Sequence, residues 1–500
     1  MAKYSYERLS FQDNSFLQAE THDVHMHVSS TLVFDAGPLE KEDGGIDIEA
    51  IRGSIVDVLH RIPRYRQRLH WVPLENHAVW VDDPHFDLDY HVRHAALPRP
   101  GTPKQLKQLS ARIMAQQLDR KRPLWESWVV EGVDNGKSFA LIQKIHHCMI
   151  DGSSGVDLAQ VLLSSSPEVE ELDERPPFVP RPTPSAFELL QDAVKRGITA
   201  PIRAVRDFKQ FADGVEDVRE ELANRGRAIK DLVAIGGTAS STPLNGEVGP
   251  RRRVEWFDMP LEDLKAVRKA WGCTINDVVL TIVTGGVREY LLHRAVNPAS
   301  TDFKLSAPVS VRTDAEKGQM GNRVSSWTLA APIAESDPRK QLDAIHAETQ
   351  RLRETRQALG VDTIMSVASW APSTLMSLGA QSVAVPTNLV VTNVPGPQQH
   401  LYCSGAKLRA LYPQVPLMRN QGVGVALMSY AGLVCWGVNS DPELVPDVDV
   451  FVKKLRVAFE RVREAAVGDV PREDPRKIVE AKPKRAQAKP AQRSSVPAAH

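Results

Sequence analysis

The stretch Lys144-Ile-His-His-Cys-Met-Ile-Asp-Gly-Ser153 places two adjacent histidines ahead of an Asp-Gly pair, with His147 four residues before Asp151. An imidazole is the side chain best matched to taking a proton from a hydroxyl near neutral pH. His147 therefore reads as a general base acting on an alcohol, with Asp151 as a supporting group. A serine-type triad is not indicated: no G-x-S-x-G elbow occurs, and Ser153 and Ser154 follow the Asp-Gly pair. A metal site is not indicated either. His146 and His147 are neighbours on an extended chain and point to opposite faces, and no C-x-x-C or H-x-x-x-H supplies further ligands. Cys148 is next to the base in the chain, which is poor geometry for a thiol–imidazole pair. The competing reading, two ordinary buried histidines beside a turn, leaves the full H-H-x-x-x-D-G pattern without a reason.

Such a base has to be held by rigid elements. Ser138 to Ile145 reads as a strand, with Phe139, Leu141, Gln143 and Ile145 on one face and His147 continuing it. Gly155 to Leu163 reads as the start of a helix, so the histidines fall where a buried strand runs out into a loop. Thr31 to Phe34 and Leu124 to Val130 have strand character. Ile48 to Ile62 and Leu106 to Leu118 carry apolar residues at helical spacing.

The H-H-x-x-x-D-G pattern resembles the active-site motif of the coenzyme A-dependent acyltransferase superfamily, which includes chloramphenicol acetyltransferase-like enzymes and condensation domains. More narrowly, the chain resembles the bacterial wax ester synthase/diacylglycerol acyltransferase family. That match is carried in order by Leu9-Ser-Phe-Gln-Asp13, Phe16-Leu17, His25-Met-His-Val28, Phe86-Asp-Leu-Asp-Tyr-His-Val-Arg93, Pro123-Leu124-Trp125, Asn276-Asp277, Pro308-Val-Ser-Val-Arg312, Gly321-Asn322 and Thr392-Asn-Val-Pro-Gly-Pro397. The resemblance runs from about residue 5 to about residue 465. It implies an α/β fold of two chloramphenicol acetyltransferase-like domains, each a mixed sheet flanked by helices, with the active-site channel at their interface. It also implies direct transfer of a long-chain acyl group from acyl-CoA to a fatty alcohol or diacylglycerol, giving wax ester or triacylglycerol and free CoA. In that mechanism His147 is the base and His146 and Gly152 are supporting motif residues. Asn276 is a candidate donor to the oxyanion. Asp151 is structural and ion-paired with an arginine, either Arg66, in Arg61-Ile-Pro-Arg-Tyr-Arg66, or Arg312. Pro123, Leu124 and Trp125 are candidate substrate contacts, with strand entry and a core aromatic as the plainer alternative. Asp277 has its own plain explanation, the third residue of a capping box begun by Thr274.

Composition sets further bounds. Lys plus Arg and Asp plus Glu both number 62 among 500 residues, so no global field favours nucleic acid. Cys148, Cys273, Cys403 and Cys435 are scattered, which speaks against a disulfide framework and fits a reducing cytosol. No apolar h-region opens the chain and no run of eighteen apolar residues occurs, so neither secretion nor a spanning helix is expected. The expected partners are acyl-CoA and a lipid alcohol, with no resident cofactor and no metal. The expected location is cytoplasmic, with peripheral contact to the inner face of the membrane or to lipid inclusions. Thr363 to Gln399 has no charged residue; it is either a buried helix leading into a core strand or a face that lines an acyl tunnel or docks on lipid. From Pro471 to His500 the chain is basic and poor in apolar residues, either a solvated tail or a weak tether to anionic headgroups.

The organisation expected is an N-terminal half over 1–165, a Pro-rich linker and helical crossover over 166–250, a C-terminal half over 251–467 and a disordered basic tail over 468–500. In the C-terminal half, Leu261 to Ala270, Leu342 to Leu352 and the segment after Pro446 read as helices, and Gly422 to Val438 as a hairpin around Ala431-Gly432. Two other functions fit the same chain: a related acyltransferase with another acceptor or a carrier-bound donor, and a catalytically silent lipid-binding protein.

Overall fold

The computed structural model describes residues 6–42, 44–149, 159–168, 177–196, 198–199, 239–310, 324–354 and 387–468. The first elements are β1 (Glu7–Arg8), α1 (Phe11–Ala19), β2 (His27–Asp35), α2 (Ile48–Val58), β3 (Gln67–Trp71) and β4 (Ala78–Asp82). They are followed by α3 (Leu88–His91), β5 (Val92–Ala96), α4 (Pro103–Met114), β6 (Trp125–Val133) and β7 (Ser138–His146). The later part holds β8 (Arg253–Pro260), α5 (Leu261–Trp271), α6 (Ile275–His293), β9 (Lys304–Ser310), β10 (Val324–Ala330), α7 (Pro338–Glu354) and β11 (Leu389–Val394). It closes with β12 (Tyr402–Cys403), β13 (Ala406–Gln414), β14 (Val423–Tyr430), β15 (Leu433–Ser440) and α8 (Val448–Val467).

Two six-stranded mixed sheets form the frame, in the orders β12-β13-β2-β7-β6-β5 and β10-β9-β11-β14-β15-β8, and β1-β4-β3 form a small third sheet. This is the mixed α/β architecture expected. One feature departs from a division by sequence: β12 and β13, from the stretch assigned to the C-terminal half, complete the sheet of the N-terminal half, with Leu411 opposite Leu32. The two sheets meet closely where β13 passes β15. A Cβ on Gly437 would lie 1.6 Å from the carbonyl oxygen of Pro413, so only glycine allows that approach. Val130, Ala140 and Ile142 of the first half share one apolar cluster with Val254, Leu433 and Cys435 of the second.

β7 lies at the centre of its sheet, paired with β2 from His27↔His146 to Asp35↔Ser138. The alternation read from its sequence is only half of its burial pattern. Phe139 and Leu141 pack into one core and Ala140 and Ile142 into another, so both faces are covered. Between the two halves, the described part of the Pro-rich linker is pinned to the small sheet. The Arg181 guanidinium donates to Asp82 at 2.7 and 2.8 Å and its backbone amide at 3.0 Å, and Phe178 lies 4.1 Å under the Arg66 guanidinium. The helix at 186–196 sets Leu189 and Ala193 against Val72, Val79 and Val81.

No single described helix is long and apolar enough to cross a membrane. α5 and α6 pass that test only as a pair bent by 101°, and α6 is the core helix of its half. Most of the uncharged stretch 363–399, and all of the tail from 469, lie outside the described residues; the described part of the former, 387–399, includes β11.

Candidate active site

β7 ends at His146, and the chain turns at once into a short 3-10 turn, His147–Met149. The His147 amide donates to the Met26 carbonyl at 2.8 Å, which ties this turn to the segment entering β2. The ring of Phe16, carried by α1, stacks on the His147 imidazole with centroids 4.1 Å apart and planes at 22°. His147 itself is half-buried, whereas His146 is 1 % exposed. The strand thus fixes one histidine in the interior and hands the next to the loop. Both backbone and ring of His147 are held while the side chain keeps access to the surface, which is what a base acting on a bound substrate requires.

Beneath the turn is a buried polar network that motif reading did not find. Glu20, the C-cap of α1, points its carboxylate into the sheet: Oε2 accepts from Arg120 Nη2 at 2.6 Å and lies 3.5 Å from His146 Nε2, and Oε1 lies 3.3 Å from His27 Nε2. Burial alone would raise the Glu20 pKa, but the imidazoles of His146 and His27 set against it outweigh burial and hold the carboxyl well below its ordinary range. Burial drives the His27 pKa down to about 3. Nδ1 of His146 accepts the Cys148 amide at 3.1 Å, which fixes the first residues of the turn. The Cys148 thiol is buried, and that burial pushes its pKa well up, so it is kept protonated and is a poor nucleophile. Arg120 Nη2 also reaches the Leu17 carbonyl at 3.0 Å. α1, β2 and β7 are thereby joined through one carboxylate. The signals in sequence were Glu20 at the end of a Ser10-capped helix and the alternating His25 and His27, but nothing linked them to the motif.

Leu124 and Trp125 are 0 % and 2 % exposed. The Leu124 carbonyl accepts the His146 amide at 3.0 Å, the Trp125 indole donates to the Tyr65 carbonyl at 2.9 Å, and His91 stacks on the indole at 4.5 Å. These residues support the base from beneath, and Pro123 leads the chain into them. Asn276 occupies the first turn of α6, which Thr274 and Asp277 cap in the reciprocal arrangement expected from sequence. The Asp277 carboxylate, fully buried, accepts from the Thr274 amide at 2.9 Å and from Thr349 at 2.8 Å, and it meets His346 Nδ1 at 2.8 Å. Burial alone would raise its pKa; these bonds bring it below the ordinary value. The half-buried Asn276 amide makes no hydrogen bond among the described residues, and none joins it to His147. Arg66 stacks on Phe178, and its pKa is lowered by burial. Asp151, Gly152 and Arg312 lie outside the described residues.

Residues 9–279 match the family model described as the wax ester synthase/diacylglycerol acyltransferase catalytic domain, and residues 320–463 match the wax ester synthase/diacylglycerol acyltransferase C-terminal domain. A protein described as probable diacylglycerol O-acyltransferase tgs1 of Mycobacterium tuberculosis is 32 % identical over 475 residues, covering 91 % of this chain and 95 % of that one. The solved wax ester synthase/diacylglycerol acyltransferase of Marinobacter aquaeolei superposes with a TM-score of 0.62 at 24 % identity, over 92 % of this chain and 99 % of that one. The first condensation domain of the calcium-dependent antibiotic synthetase, solved with a substrate analogue, superposes with a TM-score of 0.60 at 15 % identity, over 93 % and 99 %. The likeness to these two structures is one of fold.

Proposed function

The chain belongs to the wax ester synthase/diacylglycerol acyltransferase family and is an acyltransferase, and on that premise we propose that it moves a long-chain acyl group from acyl-CoA to the hydroxyl of a diacylglycerol or fatty alcohol. His147 takes the hydroxyl proton as the alcohol oxygen attacks the thioester carbonyl carbon. The tetrahedral intermediate collapses, the C–S bond breaks, and the proton on His147 passes to the departing thiolate. No acyl-enzyme forms and no resident cofactor is needed. The Asn276 amide at the start of α6 donates to the oxyanion, aided by the positive end of that helix. Asp151 pairs with Arg66 or Arg312 to hold the motif. The protein works in the cytoplasm, against the inner face of the membrane or a lipid inclusion, where both lipids are found.

The observation that carries this reading is the half-buried His147 at the mouth of a largely buried strand, clamped by Met26 and Phe16. The test is release of free CoA thiol from palmitoyl-CoA in the presence of hexadecanol, a diacylglycerol or a short polar alcohol. Turnover is expected with the lipid alcohols and absent in His147→Ala. Turnover with a carrier-bound thioester only, or a folded His147→Ala enzyme at wild-type rate, would replace this reading.

A further inference from the structure

A cleft of about 710 Å³ opens where α4 of the N-terminal half faces the start of β8 of the C-terminal half. Its charged lining is Lys104, Lys107, Arg112, Arg252 and Arg253 against a single acid, Glu255. Such an excess stands out in a chain whose formal net charge is zero. Two of the five are neutralised within the fold. Lys107 is bonded to Glu255 at 2.6 Å, and Arg253 to Asp449 at 3.2 Å. The Arg252 guanidinium is bonded to backbone carbonyls: Gly249 at 2.6 Å, Arg251 at 2.8 Å and Asp23 at 2.5 Å. These bonds fix its position; the Asp441 and Asp23 carboxylates act on its charge without forming an ion pair among the described residues. Lys104 and Arg112 are exposed along α4 and make no ion pair among the described residues. The cleft therefore holds one pre-positioned guanidinium at the inner wall and two uncommitted cations at the rim, an arrangement suited to a compact polyanion.

The cleft is also close to the base. Arg252 touches Asp23, and Met26, three residues further on, accepts the His147 amide. A three-residue span cannot exceed about 11 Å. Between them lies an apolar cluster of Val24, Met26, Val248 and Leu417, packed against Phe16. The pantetheine arm of coenzyme A is about as long as five extended residues, roughly 17 Å, which is the same order as the span from the Arg252 end of the cleft to the turn that carries His147.

Resting on the acyl-CoA reading above, we propose that this cleft binds the nucleotide end of the donor, with Lys104, Arg112 and Arg252 taking the phosphates. The binding is a point-charge and hydrogen-bond interaction at a partly solvated surface, so it weakens with salt.

The test uses the full chain and the double variant Lys104→Glu/Arg112→Glu; both positions are exposed, and the fold is checked by its melting curve. The expected result has two parts. KM for palmitoyl-CoA rises at least tenfold with kcat nearly unchanged, while kinetics with S-palmitoyl-N-acetylcysteamine, which has no phosphate, stay as in wild type. Calorimetry with adenosine 3′,5′-bisphosphate shows binding to wild type that the variant loses. Equal loss of rate with both thioesters, or an unaltered KM for palmitoyl-CoA, overturns the proposal. So does a variant that loses binding only to phosphatidylglycerol-containing vesicles, because the phosphate read would then be that of a lipid headgroup. Nucleotide binding that the variant loses, in a protein that turns over neither thioester, upholds the cleft and sinks the reaction instead.

Discussion

The Phe16 ring lies flat on the His147 imidazole at 4.1 Å, so the proposed base is oriented by a helix from the start of the chain as well as by the strand that carries it. Removing the imidazole removes general-base catalysis, for which about 10²–10⁴-fold is typical. His147→Ala is expected to lose at least that much of kcat while melting near wild type. Phe16→Ala leaves the base present and loosely oriented, and a fall in kcat of roughly tenfold is expected. Steady-state kinetics of both variants check this; equal activity of Phe16→Ala and wild type removes the orienting role.

Glu20 is the next point of leverage. Its carboxylate is 1 % exposed and serves Arg120, His27 and His146 together. Glu20→Gln keeps the shape but removes the buried charge that the partly exposed Arg120 and the buried His27 and His146 face. Because the Arg120 guanidinium is 31 % exposed, the loss is that of a partly screened pair with buried imidazoles left unmatched, about 1–3 kcal/mol. A lower urea midpoint is expected, and a lower kcat with little change in KM, because α1 brings Phe16 to the base. A Glu20→Gln variant as stable as wild type would show that the network is incidental.

The motif, β7 and the helix-capping role of Asp277 were legible because each is written locally, in a run of neighbouring residues. β13 was not. Its Lys407 and Arg409 alternate with buried Ala406, Leu408 and Ala410, but Pro413 argues against a strand. The fold admits it because, among the described residues, no strand pairs with that end of β13 on the side away from β2. Its partner, β2, is hundreds of residues away, and no local pattern encodes a pairing of that range. The Glu20 network was hidden for the same reason. Glu20, His27, Arg120 and His146 come from four separate elements or loops, and only the register His27↔His146 brings the imidazoles to one carboxylate.

Acid should weaken the fold before the carboxylates titrate. Burial lowers the pKa of His27 to about 3 and those of His77 and His91 to about 4, from an unfolded value of 6.5. All three are neutral in the fold. Above pH 6.5 they are neutral in the unfolded chain too, and their contribution is fully present there. As pH falls below 6.5 the unfolded chain takes up protons that the fold refuses, and stability declines until the folded values are reached. Each site approaches a slope of about 1.4 kcal/mol per pH unit. A loss of at least about 2 kcal/mol between pH 6.5 and pH 5 is expected in urea unfolding. A flat profile over that range would mean these imidazoles are protonated within the fold.

Asn276 and Asp277 separate chemistry from folding at adjacent positions. The Asp277 carboxylate closes the capping box of α6 and accepts a bond from Thr349, all in the interior. Asp277→Ala leaves the Thr274 amide without its partner, and a stability loss of about 1–3 kcal/mol is expected. The Asn276 amide has no such work in the resting fold. Asn276→Ala is therefore expected to melt with wild type, yet to lose about 10²-fold in kcat if the amide donates to the oxyanion as proposed. Asn276→Asp goes further, placing an acceptor and a negative charge where a donor is required, and should be the least active of the three. Thermal melts run beside thiol-release kinetics decide it. If Asn276→Ala turns over at the wild-type rate, the oxyanion donor must be sought elsewhere, while the role of Asp277 in starting α6 is unaffected.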